Sequence, residues 1–198
     1  REVGGDLYGV CAAAPHRLVL FLGDVSGKGI PASMFMVRAI SLARLLAREI
    51  AEPERILGRL NDELATDNPS AMFVTFLCAV FEPKSHRLTL ANAGHCRPVL
   101  LPANAPPRWA VRSLGTALGF ETGLEFERTE LTLKPGDALT AHPKVCPDTG
   151  ELITCTQRWD QPYFTLQIID KHGKPVRAIE VPMPRKAIIH DLQLCGNY

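Results

Sequence analysis

The chain has 198 residues, 46% of them hydrophobic and 22% charged, with a formal net charge of +1. That length supports one or two domains with a core large enough to fold without disulfide or metal staples. The balanced charge excludes an electrostatic nucleic-acid binder, and with a mean hydropathy of +0.02 and no uninterrupted apolar run of about 18 residues, no membrane span is expected. The chain opens at Arg1 rather than Met and closes on Tyr198, so the expectation is a segment of a longer protein.

In chain order, residues 17–24 form an apolar run that predicts a buried strand ending in a turn. Gly23-Asp24-Val25-Ser26-Gly27-Lys28-Gly29 is a glycine-rich turn, and Pro31 suits the first turn of a helix. Met36, Ile40, Ala43, Leu46 and Ile50 recur at helical spacing and predict a helix from about Ala32 to Ile50. A second helix is predicted from Pro53 to about Leu64, with Ile56, Leu57, Leu60 and Leu64 on one face. Strand-like runs follow at 72–81, 87–92 and 98–101, then a turn-rich loop at 102–107. Residues 124–133 alternate imperfectly and read as an edge strand, and Lys134-Pro135-Gly136-Asp137 is a turn. Beyond it the texture is β throughout, with runs at 151–156, 163–169, 175–181 and 186–194 between glycine and proline turns. The first part therefore reads α+β and the remainder all-β, with no internal repeats.

The cysteines are Cys11, Cys78, Cys96, Cys146, Cys155 and Cys195, with no CxxC pair and no signal-peptide core ahead of them. A disulfide framework or zinc ribbon is not expected, and reduced thiols in a cytoplasmic setting are.

Two acidic residues carry the first chemical signal. Asp6 follows Gly4-Gly5 and Asp24 follows Gly23, each where the backbone can approach closely. Carboxylates at the ends of neighbouring strands make half of a hard-cation site, since Mg²⁺ and Mn²⁺ prefer oxygen ligands and keep several waters. The chemistry that follows is hydrolysis assisted by two ions about 3.5–4 Å apart. An Asp beside Gly is also an ordinary turn residue, and that reading stands beside the first. A Walker phosphate loop is excluded, because Leu22 and Gly29 occupy the places that require Gly and Ser or Thr.

Five spaced motifs then agree: Glu2-Val3-Gly4-Gly5-Asp6-Leu7-Tyr8, Gly23 through Ala32, Met72-Phe73-Val74-Thr75, Asn92-Ala93-Gly94-His95 and Leu133-Lys134-Pro135-Gly136-Asp137. Over roughly 1–139 the chain resembles the SpoIIE/RsbU branch of the type 2C metal-dependent protein phosphatases. The resemblance implies an αββα sandwich, two Mn²⁺ or Mg²⁺ ions, and removal of phosphate from phosphoserine or phosphothreonine, often on an anti-sigma-factor antagonist. It makes Asp6 and Asp24 the catalytic, metal-bridging carboxylates, with the carbonyl of Val25 completing the site and Ser26–Gly29 shaping the turn. It makes Asn92 and His95 structural or pocket-rim residues. Position 9 is Gly where the family usually has Asp, and the later Thr-Asp-Gly-Val strand and final Asp are missing, so two metal carboxylates are absent.

The tail carries a second constellation. His142 and His190 could face one metal if their strands are neighbours, and imidazole suits non-haem Fe(II). His16, His86, His95 and His172 have no pairing pattern. Ala141-His142-Pro143-Lys144-Val145, Pro147 through Leu152, Asp170-Lys171-His172-Gly173, and His190-Asp191-Leu192 with Asn197-Tyr198 resemble the carotenoid cleavage oxygenases over about 140–198. That resemblance implies a seven-bladed propeller with Fe²⁺ on four histidines, of which His142 and His190 match two; Cys146 and Cys195 stand where Asp and Thr are usual. So short a segment cannot close a propeller.

The expected architecture is an incomplete αββα sandwich over 1–139, joined without a linker to a β-hairpin segment over 140–198 that resembles one to two propeller blades. The expected function is a SpoIIE/RsbU-type serine/threonine phosphatase, impaired by its missing ligands and acting on a phosphoprotein. An iron dioxygenase fragment, an inactive partner-binding module and an artificial fusion are the alternatives. The residues that bind substrate are not legible.

Overall fold

The computed structural model describes residues 6–13, 16–140, 143–157, 162–172 and 174–182. In chain order they form β1 (Asp6–Ala13), β2 (Arg17–Val25), α1 (Gly29–Glu49), α2 (Pro53–Ala65), β3 (Val74–Glu82), β4 (Arg87–Ala93), β5 (Val99–Leu101), β6 (Arg108–Trp109), β7 (Arg128–Thr132), β8 (Ala138–Thr140), β9 (Lys144–Val145), β10 (Leu152–Gln157), β11 (Tyr163–Ile169) and β12 (Pro175–Pro182). These elements fall into two compact units, Arg1–His95 with Val111–Leu133 and Cys96–Ala110 with Lys134–Tyr198. The run predicted at 186–194 lies outside the described residues.

The first unit is an antiparallel sheet in the order β1-β2-β3-β4-β7, with α1 over β1 and β2 and α2 over β3 and β4. Alternation decides which side chains meet the helices. On β2, Val19, Phe21 and Val25 are buried in the helix-side core, while Leu18 and Leu20 on the opposite face stay 40% and 37% exposed. Phe21 and Phe76 meet on the helix side with ring centroids 5.7 Å apart. This is the α+β arrangement expected, one helix layer upon one sheet.

Helix α1 seats on the sheet through Ala32, Phe35, Ala39, Ala43 and Ala47. Of the stripe anticipated from the sequence, Ala43 lies in this seam, while Met36, Ile40, Leu46 and Ile50 flank it and are only partly buried. Alanine at the line of contact lets the helix axis approach the sheet, so the larger side chains are displaced to its sides. α1 is also the one helix among the described residues long and apolar enough to cross a membrane by length and composition alone, which the search for an uninterrupted run did not register. Its seam is an amphipathic helix's core face. α2 buries Ile56, Leu57, Leu60 and Leu64, the face expected, and the Arg38 guanidinium reaches from α1 to the carbonyls of Glu63 and Thr66. A cation there satisfies carbonyls at the end of α2 and complements its dipole.

The edge strand anticipated at 124–133 is shorter, covering Arg128–Thr132 and pairing with β4. Phe126 is buried and Leu124 packs against the same core, so this stretch serves packing before it joins the ladder.

The second unit holds two antiparallel sheets, β6-β5-β8 and β12-β11-β10-β9. Val99, Leu101, Leu152 and Ile169 form one buried cluster, with Ala138 against it. The Thr140 and Thr154 hydroxyls share a buried hydrogen bond of 2.6 Å. β8 spans the residues where the sequence motifs change, and it pairs with β5.

Candidate functional site

Four of the five motifs meet at one end of the first sheet. β1 begins at Asp6 and β2 ends one residue past Asp24, and the register sets Asp6 directly opposite Asp24 and Asp24 directly opposite Thr75. Residues directly opposite in an antiparallel pair share a face with Cβ atoms about 4.5–5.5 Å apart. Asp24 is exposed. The turn after it is tied down by Ser26, whose N–H donates to the Phe73 carbonyl at 2.8 Å while its Oγ accepts from the Phe73 N–H at 2.9 Å.

His95 is 2% exposed and sits behind this row. Its Nδ1 lies 2.9 Å from Thr75 Oγ1, which is itself 3.3 Å from the Asp24 carbonyl. The hydroxyl carries one proton, so if it donates to the carbonyl the imidazole must present N–H to it. Asn92 holds the same turn, donating from Nδ2 to the His95 carbonyl at 2.8 Å and accepting the His95 N–H at 3.2 Å. Burial and these contacts fit the structural role that the resemblance implied for both residues. Gly94, at φ +69, donates to the Leu114 carbonyl at 2.7 Å.

The segment after Leu114 is clamped by residues that sequence reasoning did not single out. Asn61, fully buried on α2, donates to the Glu121 carbonyl at 2.7 Å and accepts from the Gly119 N–H at 3.1 Å. Asp62 accepts the Gly123 N–H at 2.8 Å, and Asn68 donates to the carbonyls of Met72 and Gly119. Gly119 has φ +102, and a Cβ there would lie 2.9 Å from the Met72 oxygen. Polar Asn61 on an otherwise apolar helix face was the available signal.

Gly9 departs from the usual acidic residue, yet a Cβ at this position would point at Ile40 Cδ1, 3.0 Å away, with Arg44 Nη2 at 3.6 Å. That is the helix-facing side of β1, opposite to the Asp6–Asp24 row, so the departure does not subtract from the acidity of that row. The Val25 side chain is 4% exposed in the core, which leaves only its carbonyl as a donor. Two carboxylate residues and a carbonyl suit one hard cation whose shell water completes. Among the described residues no group of three or more His, Cys, Asp or Glu could hold a metal.

Asp137 of the fifth motif belongs to the second unit, where it stiffens its own turn. Its oxygens accept the Lys134 N–H at 2.9 Å and the Ala103 N–H at 3.0 Å, and these bonds hold its carboxyl below the usual range. Cys78 is pushed well up by burial. His16 and His86 occupy left-handed turn positions at φ 58 and 54. His142, His190 and Cys195, and with them the proposed iron ligands, lie outside the described residues.

Comparison with known proteins bears out both resemblances. The family described as Stage II sporulation protein E (SpoIIE) matches residues 14–142, and the family described as Retinal pigment epithelial membrane protein (RPE65) matches residues 111–198. Phosphoserine phosphatase RsbU of Bacillus subtilis is 24% identical over 139 residues, covering 70% of this chain and 41% of that one. The RsbU and RsbW domains of Rv1364c from Mycobacterium tuberculosis align at a TM-score of 0.59 and 27% identity, over 69% of this chain and 38% of theirs. A carotenoid 9,10(9',10')-cleavage dioxygenase of Crocus sativus is 34% identical over 61 residues, 31% of this chain and 11% of that enzyme. The chain spans 26% and 41% of the length of the first two curated relatives it matches.

Proposed function

The chain belongs to the SpoIIE family of type 2C phosphatases, of the RsbU branch, and from that premise we propose that it removes phosphate from phosphoserine or phosphothreonine with one bound Mn²⁺ or Mg²⁺. The observation that carries this reading is the Asp6–Asp24 pairing at the sheet end where four family motifs meet. Asp6, Asp24 and the Val25 carbonyl would hold the cation. Such an ion supplies Lewis acidity toward a phosphate ester and toward water.

The chain's own residues keep this end in shape. Ser26 fixes the turn after Asp24, and Thr75 links the Asp24 backbone to buried His95. His95 is a positioning residue in this reading, because its burial keeps it from solvent and substrate alike. With donors for a single ion, turnover falls below that of a two-ion site. The substrate is proposed to be a phosphorylated signalling protein such as an anti-sigma-factor antagonist, by analogy with the phosphoserine phosphatase RsbU. The five cysteines of the described residues are free thiols, which supports residence in the reducing cytoplasm.

The test is Mn²⁺-dependent hydrolysis of p-nitrophenyl phosphate and of a phosphoserine peptide by the full chain. Turnover that rises with Mn²⁺ and disappears in Asp24→Ala is the expected result. No turnover at any Mn²⁺ or Mg²⁺ concentration, or equal turnover in Asp24→Ala, overturns it.

A further inference from the structure

The second unit contains a cleft of about 490 Å³ whose walls come from both halves of the chain. One wall is Val99 and Pro107–Trp109, inside the stretch matched by SpoIIE. The other runs from Val145 to His172, inside the stretch matched only by RPE65. The volume lies within the ~300–1,000 Å³ typical of small-molecule sites.

Its lining is divided by chemistry. Val99, Leu152 and Ile169 make an apolar floor that is 3%, 9% and 2% exposed and belongs to the core of this unit. Trp109 stands at the wall with 44% of its surface exposed, and the Arg97 guanidinium lies 5.2 Å from its ring centroid, an arrangement that fixes the indole. The mouth carries the cations Arg108 and Lys171, with His172 beside them, and all are exposed.

The acid in the lining offsets part of this charge, since Asp170 keeps its own charge beside His172 and Lys174, but Arg108 and Lys171 together leave the lining net positive. Asp170 turns its Oδ1 to the N–H groups of His172 and Lys174, at 2.9 and 2.8 Å. Asp137, whose charge Arg108 feels, has both oxygens committed to Lys134 and Ala103. Among the described residues neither Arg108 nor Lys171 forms a salt bridge. An apolar floor beneath uncommitted cations selects a ligand with a hydrophobic body and one negative end.

We propose that this cleft binds a small amphiphilic monoanion, an aliphatic or aromatic carboxylic acid, with its body on Val99, Leu152 and Ile169 beside Trp109 and its carboxylate at Arg108 and Lys171. The site is independent of the phosphatase reading and needs no metal.

The experiment titrates the full chain with octanoate, 1-octanol and octylammonium by calorimetry. Octanoate binds about tenfold more tightly than octanol, the worth of one charge-assisted contact, and octylammonium gives no saturable signal. Arg108→Gln with Lys171→Gln brings octanoate down to the affinity of octanol and leaves octanol unchanged. Both residues are exposed, and an unchanged urea midpoint shows that the variant is folded. Val145→Asp, at an exposed residue of the cleft wall, abolishes octanoate binding by a different route. Equal affinity for octanoate and octanol, or full octanoate affinity in either variant, overturns the proposal.

Discussion

Replacing Asp24 by Asn tests the candidate metal end without relying on turnover. Asp6 and Asp24 are register partners across a strand pair, and like charges at directly opposite positions destabilise a sheet by roughly 0.2–1 kcal/mol. Coulomb's law at a separation of about 5 Å in water gives about 0.8 kcal/mol, reduced further by salt. The metal-free protein carries that repulsion as a cost of holding the site ready. Asp24→Asn therefore stabilises it by about 0.5 kcal/mol, a rise of about 1–2 °C in Tm for a chain of this size. The wild type gains about 2.7 kcal/mol at a cation concentration of 100 times Kd, or about 5–11 °C. The variant loses most of that gain. Differential scanning fluorimetry with and without Mn²⁺ at low ionic strength reads both effects, and they have opposite signs. A variant less stable than wild type without metal, or a wild type that does not respond to Mn²⁺, refutes the assignment of these two residues to one cation.

Other changes test the scaffold. Asn61→Ala strands the Gly119 N–H and the Glu121 carbonyl, and urea unfolding should register a loss of about 2–4 kcal/mol. Gly115→Ala would place a Cβ 2.3 Å from the Asn92 oxygen at φ +67; the segment must shift, and the soluble yield and the Mn²⁺ response both fall. The lowered pKa of Asp137 makes its contribution present above the ordinary carboxylate range and lost as pH falls through the folded value. The stability gap between wild type and Asp137→Ala, read by urea midpoints, should accordingly narrow below about pH 4. Cys146 is held below the usual thiol range chiefly by the Thr149 hydroxyl, then by the Thr149 and Asp148 N–H groups; iodoacetamide should label it at a pH below that of an ordinary free thiol, and Thr149→Val should move its rate profile upward.

The fold was legible where hydrophobic period and local turn chemistry pointed the same way. The α2 face and the strand runs of β2, β3 and β4 follow from spacing alone. The α1 seam followed only at Ala43, because periodicity weights large residues, whereas a helix lying close on a sheet needs small ones at the contact, here also Ala39 and Ala47. The strands β6, β8 and β9 are two or three residues long, and such segments are set by the partner strand rather than by their own pattern. The pairing of β5 with β8 across intervening residues likewise has no local signature.

At the candidate site the residue types were legible and their juxtaposition was not. Asp6, Asp24, Thr75 and His95 sit in four motifs spread over the chain, and only the register of β1, β2 and β3 sets the first three in one row. A shift of one residue in the β1–β2 pairing would put the two carboxylates on opposite faces of the sheet, and one in the β2–β3 pairing would part both from Thr75. The turn at Ser26 opposes such a slip, since its two bonds to Phe73 lock β2 against β3 at the end that carries the row. The motif Gly-Asp-Val-Ser-Gly thus places a candidate ligand and fixes the β2–β3 register that sets it beside Thr75. Replacing Ser26 by Ala removes the bond to the Phe73 N–H without touching a carboxylate. If register is what assembles the site, that variant weakens the Mn²⁺-induced stabilisation; if Asp24 alone holds the ion, the response is unchanged.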